Sequence, residues 1–134
     1  MPTKEAHLAA AEHNQNAIDC FREKIDQFPG WIAVIAFYKA VHLVEAVFAA
    51  DNHFHSRDHA ARNDTLIRTA RYRNLWKHYK PIWQASLAAR YMNVDGKEYP
   101  TFEKYMSPQK VEQKILNHDL RQIENSAQKL MGLP

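Results

Sequence analysis

Trp31 to Ala50 is the most apolar stretch of this chain, broken only by Tyr38, Lys39, His42 and Glu45. A helix that is apolar around most of its circumference belongs at the centre of a bundle or at a dimer interface. The rest of the fold has to cover it. Its uninterrupted apolar run, Trp31 to Tyr38, is far shorter than a membrane span, and Lys39 and His42 follow at once. A core helix is expected here rather than a membrane-spanning one. Pro29-Gly30 separates it from the preceding helix, and Asp51-Asn52 closes it.

The 134 residues suffice for one domain with one sizeable core. Three glycines are too few for the many tight turns of a β-sandwich. The expected fold is all-α: a single antiparallel bundle of four to five helices spanning residues 1–134. The first helix is read as Thr3 to Phe28, with Leu8, Ala11, Ile18, Phe21, Ile25 and Phe28 at helical spacing. Ser56 caps a third helix, Arg57 to Thr69. Ala70 to Tyr79 is ambiguous. Pro81 suits the first turn of a helix from Lys80 to Tyr91, with a stripe of Ile82, Trp83, Leu87 and Tyr91. A loop with an Asp95-Gly96 turn covers Asn93 to Met106. Ser107-Pro108 starts the last helix, whose buried stripe is Val111, Ile115, Leu116, Ile123, Ala127 and Leu130, and Gly132 stops it.

The lone Cys20 excludes an intramolecular disulfide and any multi-cysteine zinc site. Its place in an amphipathic stretch predicts a small core residue. The first residues have no signal-peptide shape, so a soluble, cytoplasmic protein is expected. A formal charge of +3 permits nucleic acid as a partner without demanding it.

The chemistry concentrates just after the apolar helix. His53 to Asn63 holds three of the eight histidines and two arginines. On the third helix, His59, Arg62 and Asn63 fall on one side, and His55 lies four residues before His59. Histidine, arginine and asparagine together suit binding an anion and moving a proton, whereas a merely solvated face more often uses lysine and glutamate. On the second helix, Tyr38, His42 and Glu45 share a face. Two readings of that face stay open. His42 is a core histidine held by Glu45, or Glu45 orients it and raises its basicity for function. A second basic set is Arg73-Asn74 through His78. Trp76, Tyr79, Trp83 and Tyr91 are of the type that stacks bases, but their helical spacing is the spacing of core residues. Arg90 fits the dipole of its helix's C-terminal end.

Three strings together resemble a known family: Ala36-Phe37-Tyr38-Lys39-Ala40-Val41-His42-Leu43-Val44-Glu45-Ala46, His55-Ser56-Arg57-Asp58-His59-Ala60-Ala61-Arg62-Asn63, and Ser86-Leu87-Ala88-Ala89-Arg90-Tyr91. They look like the small prokaryotic HEPN proteins (higher eukaryotes and prokaryotes nucleotide-binding), over roughly Ala6 to Tyr91. The resemblance implies a helical bundle that usually forms a homodimer. Many such proteins are metal-independent ribonucleases of toxin–antitoxin or defence systems; others bind RNA or nucleotides without catalysis. An antitoxin or nucleotidyltransferase partner is implied, and no cofactor. The family's signature is an arginine, a polar residue, three to five positions and a histidine. Arg73-Asn74 through His78 satisfies it literally, ahead of Pro81, while His59 and Arg62-Asn63 present the same residue types in reverse order.

Three functions follow as expectations. In a ribonuclease, His59 or His78 moves the proton, Arg62 or Arg73 stabilises phosphate charge, and Asn63 or Asn74 positions it. The products would carry 2′,3′-cyclic phosphate and 5′-hydroxyl ends. In a binding module, the same face, supported by Tyr38, His42, Glu45, His55, Arg90 and Tyr91, holds RNA or a nucleotide. In a metal-binding bundle, His42, Glu45, His55 and His59 supply the ligands.

Overall fold

The computed structural model describes residues 1–133. Five long helical segments form an all-α bundle. Helix α1 (Lys4–Phe21) starts at Thr3, whose hydroxyl accepts from the Ala6 N–H at 3.1 Å. It ends seven residues before Phe28, passing through a 3₁₀ turn (Arg22–Lys24). Helix α2 (Pro29–Ala50) follows, with Pro29 in its first turn, where a missing N–H costs nothing. A Cβ on Gly30 would meet the Phe102 ring at 3.3 Å, so glycine lets a later loop lie close.

Helix α2 is the axis of the molecule. Ile32, Ala33, Ala36, Phe37, Ala40, Val44, Ala46 and Val47 are fully buried, against α1, α4 (Arg73–Tyr91) and the C-terminal helix. Each large side chain so enclosed contributes about 1.5–3 kcal/mol. The helix is long and apolar enough to cross a membrane by length and composition, yet 72% of its most apolar window is buried inside the bundle. Its apolar surface is used by the core.

Helix α3 (His59–Arg68) is capped by Asp58, whose carboxylate accepts from the Ala61 N–H at 2.7 Å. Ser56, the expected cap, lies two residues too early to cap it. The ambiguous stretch resolves into a 3₁₀ turn (Ala70–Tyr72) and the first two turns of α4. Pro81 therefore sits inside α4, not at its start. Burial of Leu75, His78 and Tyr79 on the same face as Ile82 outweighs the proline, whose ring leaves the Lys77 carbonyl without its helical donor. Lys77 is exposed, so water can reach that carbonyl.

After α4, the expected loop contains a two-residue hairpin, β1 (Asn93–Val94) with β2 (Lys97–Glu98). Asp95 and Gly96 take φ of 52° and 85° in its turn, the left-handed pair that suits Asp-Gly. A short α5 (Phe102–Tyr105) precedes α6 (Pro108–Lys110), capped by Ser107 as expected. The chain continues as a π-helical segment (Val111–Asp119) and α7 (Leu120–Leu130). Val111, Ile115, Leu116, Ile123 and Ala127 are buried, and Gly132 takes a positive φ of 70° at the end. Cys20 is exposed rather than in the core; Phe21, the last residue of α1, and Phe28, beyond its end, are also exposed.

Candidate functional site

Glu45 points from α2 towards α3, where it meets Arg62. Arg62 Nε donates to Glu45 Oε2 at 2.7 Å, and the Ser56 N–H donates to Oε1 at 3.1 Å. Both partners are almost fully enclosed. Burial alone would raise the Glu45 pKa. Hydrogen bonds from Ser56 and Arg62, with the guanidinium charge, hold it below its ordinary value instead. The pair pins the loop after α2 and the first turns of α3 onto the core.

Arg62 has a second duty. Its Nη1 lies 2.7 Å from Nδ1 of His59. A guanidinium can only donate, so Nδ1 accepts, and the neutral imidazole carries its hydrogen on Nε2. Burial pushes the His59 pKa down, and the charges of Arg62 and Arg90 push it further. The ring lies 5.3 Å from Phe37 and 6.5 Å from Tyr38, centre to centre.

Arg90, from the last turn of α4, completes the group. Its guanidinium lies 5.1 Å from the Phe37 ring, 5.9 Å from Tyr38 and 5.0 Å from Tyr91, within cation–π range of all three. Nη2 donates to the Ser86 hydroxyl at 3.1 Å, and Nε is buried without a partner among the described residues. Tyr91 is 62% exposed. The hydroxyl of Tyr79, whose ring lies 5.8 Å from Phe37, is also buried without a partner among the described residues, and burial raises its pKa to about 12. Tyr38 and Arg90 border an open groove of about 630 Å³, with Phe28, Trp31, Val34 and Phe102 as its apolar wall.

His42 lies in an adjoining group. It does not pair with Glu45, whose carboxylate is taken by Ser56 and Arg62. Nδ1 of His42 meets Nδ1 of His7 from α1 at 3.1 Å, and His55 stacks on His7 with ring centres 5.1 Å apart. Burial lowers the pKa of both His7 and His42, and neighbouring cations add to it. The Glu45 charge acts the other way, raising the His42 pKa, but burial and the charges of Arg62 and His55 outweigh it.

The structure brings together Tyr38, His59, Arg62, Glu45, Arg90 and Tyr91. It leaves the Asn63 side-chain oxygen buried without a partner, with no bond to His59 or Arg62. Arg73 and His78 do not form a site together. Arg73 is exposed at the start of α4. His78 is buried against Asp119 at 2.8 Å, and Asn74 bonds Ser126. Five residues on an α-helix separate two side chains by well over a right angle, which is why the literal signature does not close. The expected metal set of His42, Glu45, His55 and His59 fails as well, because Glu45 is committed to Arg62. Among the described residues, the grouping of three ligand side chains within 4.8 Å is His78, His118 and Asp119.

Sequence reasoning missed His7, Lys114 and Asp119. A signal existed for His7: it shares the phase of Ala11 and Ile18, the buried face of α1. Nothing local marked Asp119 as the partner of His78, 41 residues away. Comparison of the chain with protein-family models, with curated proteins and with solved structures finds no match in any of the three.

Proposed function

We propose that this chain is a HEPN-like RNA- or nucleotide-binding protein whose ligand lies across His59 and Arg90 and reaches into the groove beside Tyr38. One observation carries the reading: the Arg62–His59 bond, which fixes His59 as a neutral donor through Nε2–H. A fixed donor and the Arg90 guanidinium next to exposed Tyr38 and Tyr91 rings are the groups that hold a phosphate and stack a base. The groove volume falls in the range that takes a small ligand.

The same bond favours binding over cleavage. To remove a proton from a ribose 2′-hydroxyl, an imidazole needs a free lone pair. The Nδ1 lone pair of His59 is held by Arg62, and Nε2 already bears hydrogen. Protonating Nδ1 would break the contact with Arg62. Arg62 is too enclosed to touch a phosphate; it is a positioning residue. The HEPN-like reading also includes a homodimer and an antitoxin- or nucleotidyltransferase-type partner. The exposed Phe21, Phe28 and Trp31 at the junction of α1 and α2 are the apolar surface open to either.

The test is fluorescence anisotropy with a short labelled RNA and with a labelled mononucleotide, in excess chelator, over a range of salt. Expected is binding that weakens steeply as salt rises, with no change in RNA length. Absence of binding at low salt, or equal binding by the His59→Ala and Arg90→Ala variants, overturns the proposal. Cleavage to 2′,3′-cyclic phosphate ends that disappears in His59→Ala would replace it with the ribonuclease reading.

A further inference from the structure

We propose that His78, His118 and Asp119 form a binding site for a zinc-like divalent cation that ties α4 to the C-terminal helix. The three side chains offer two imidazole nitrogens and one carboxylate oxygen, all within 4.8 Å of one another. That donor set suits a borderline metal such as Zn²⁺ and is a poor one for Mg²⁺ or Ca²⁺, which take oxygen ligands. A tetrahedral zinc with bonds of about 2.1 Å holds its ligands about 3.4 Å apart. His78 Nδ1 and Asp119 Oδ1 are 2.8 Å apart, so they need only open slightly. The His118 ring lies edge-on to His78 at 5.3 Å and is exposed, so it is free to turn inward.

The surroundings already hold the carboxylate in place. Lys114 Nζ donates to Asp119 Oδ2 at 2.7 Å, which leaves Oδ1 as the oxygen facing His78. A second hydrogen bond on a ligating carboxylate is the usual outer support of a metal site. The π-helical segment makes this contact. Its i→i+5 hydrogen bonding stacks residues five apart, as Lys114 and Asp119 are, whereas an α-helix would splay them. Single π-helical stretches of this kind recur at functional sites. The bond between His78 and Asp119 by itself requires neither the π segment nor a third imidazole beside it.

The proton balance is simple. A carboxylate only accepts, so the hydrogen between the two residues sits on His78 Nδ1. The cation takes its place between Nδ1 and Oδ1, and the neutral imidazole exchanges that hydrogen through solvent to Nε2, so His78 stays neutral and releases no net proton. His118 is the third ligand, and water takes the fourth position.

The experiment uses the full chain, stripped with chelator and titrated with Zn²⁺ alone by calorimetry. Thermal unfolding and the visible spectrum with Co²⁺ accompany it. Expected are one ion per chain, a higher melting temperature and the intense visible bands of tetrahedral Co²⁺. His118→Ala changes an exposed residue and leaves the fold intact; it should weaken binding at least about tenfold and abolish the thermal shift. His55→Ala, in the other imidazole group, should leave both unchanged. Failure to take up Zn²⁺ at micromolar concentrations, or uptake that His118→Ala leaves unchanged, overturns the proposal. Uptake that His55→Ala removes also overturns it, and assigns the ion to the His7–His42–His55 group.

Discussion

The guanidinium of Arg62 meets the carboxylate of Glu45 at 2.7 Å, with the two side chains 5% and 1% exposed. Removing one partner strands a buried charge. Arg62→Met should therefore cost about 3–5 kcal/mol of folding stability, and Glu45→Leu a similar amount. Replacing both together, as Glu45→Leu with Arg62→Met, should cost much less than the sum of the single changes. Urea unfolding of the four proteins measures the coupling. Additive losses would mean that the two groups do not interact.

Acid should weaken the fold in two stages. His7, His42 and His59 have folded pKa values below the ordinary 6.5, chiefly through burial. The folded protein thus binds fewer protons than the unfolded chain, and stability rises with pH in that window. Their share is fully present above pH 6.5 and is lost as the pH falls below it. Glu45, held below its ordinary 4.5, adds a share present above that pH and lost as the pH falls through its folded pKa. Chemical denaturation at several pH values should show both descents. In His7→Asn, His42→Asn double variants, the upper descent should flatten.

Arg90 and Arg73 are matched controls for ligand binding. Arg90 stands among Phe37, Tyr38 and Tyr91, while Arg73 is exposed without an ion pair among the described residues. Loss of one charge-assisted contact, about 1.5–3 kcal/mol, should weaken RNA or nucleotide binding roughly tenfold or more in Arg90→Ala. Arg73→Ala should change stability by less than about 0.5 kcal/mol and leave affinity near that of the parent. An affinity loss confined to Arg73→Ala would move the binding face to the start of α4.

Pro81 lies inside α4, where its ring excludes a helical hydrogen bond. Pro81→Ala should raise the melting temperature, with a gain on the order of 1 kcal/mol after allowing for the greater freedom of the unfolded chain. A loss of stability would show that the proline itself is needed to seat Tyr79 and Ile82 against the core.

The apolar helix from Trp31 announced the architecture correctly, because burial of so continuous a surface leaves few arrangements open. The Ser107-Pro108 start and the Asp95-Gly96 turn were equally plain, since both depend on backbone chemistry within four residues. The α4 start was not readable. Local propensity put Pro81 at the first turn, and packing of Leu75, His78 and Tyr79 overruled it. Cys20 misled for a related reason: helical phase says which side a residue is on, but the position of the neighbouring helix says which side is covered.

Residue types and spacing alone established an all-α chain with histidine and arginine gathered beyond its central helix, because hydrophobic periodicity and composition are local properties. Partnership was decided in three dimensions. Glu45 answers Arg62 rather than His42, His42 answers His7, and His78 answers Asp119 across 41 positions. A buried charge takes whichever counter-group the packing brings within about 3 Å, and that choice is made by how helices cross, which no spacing along one strand of sequence records.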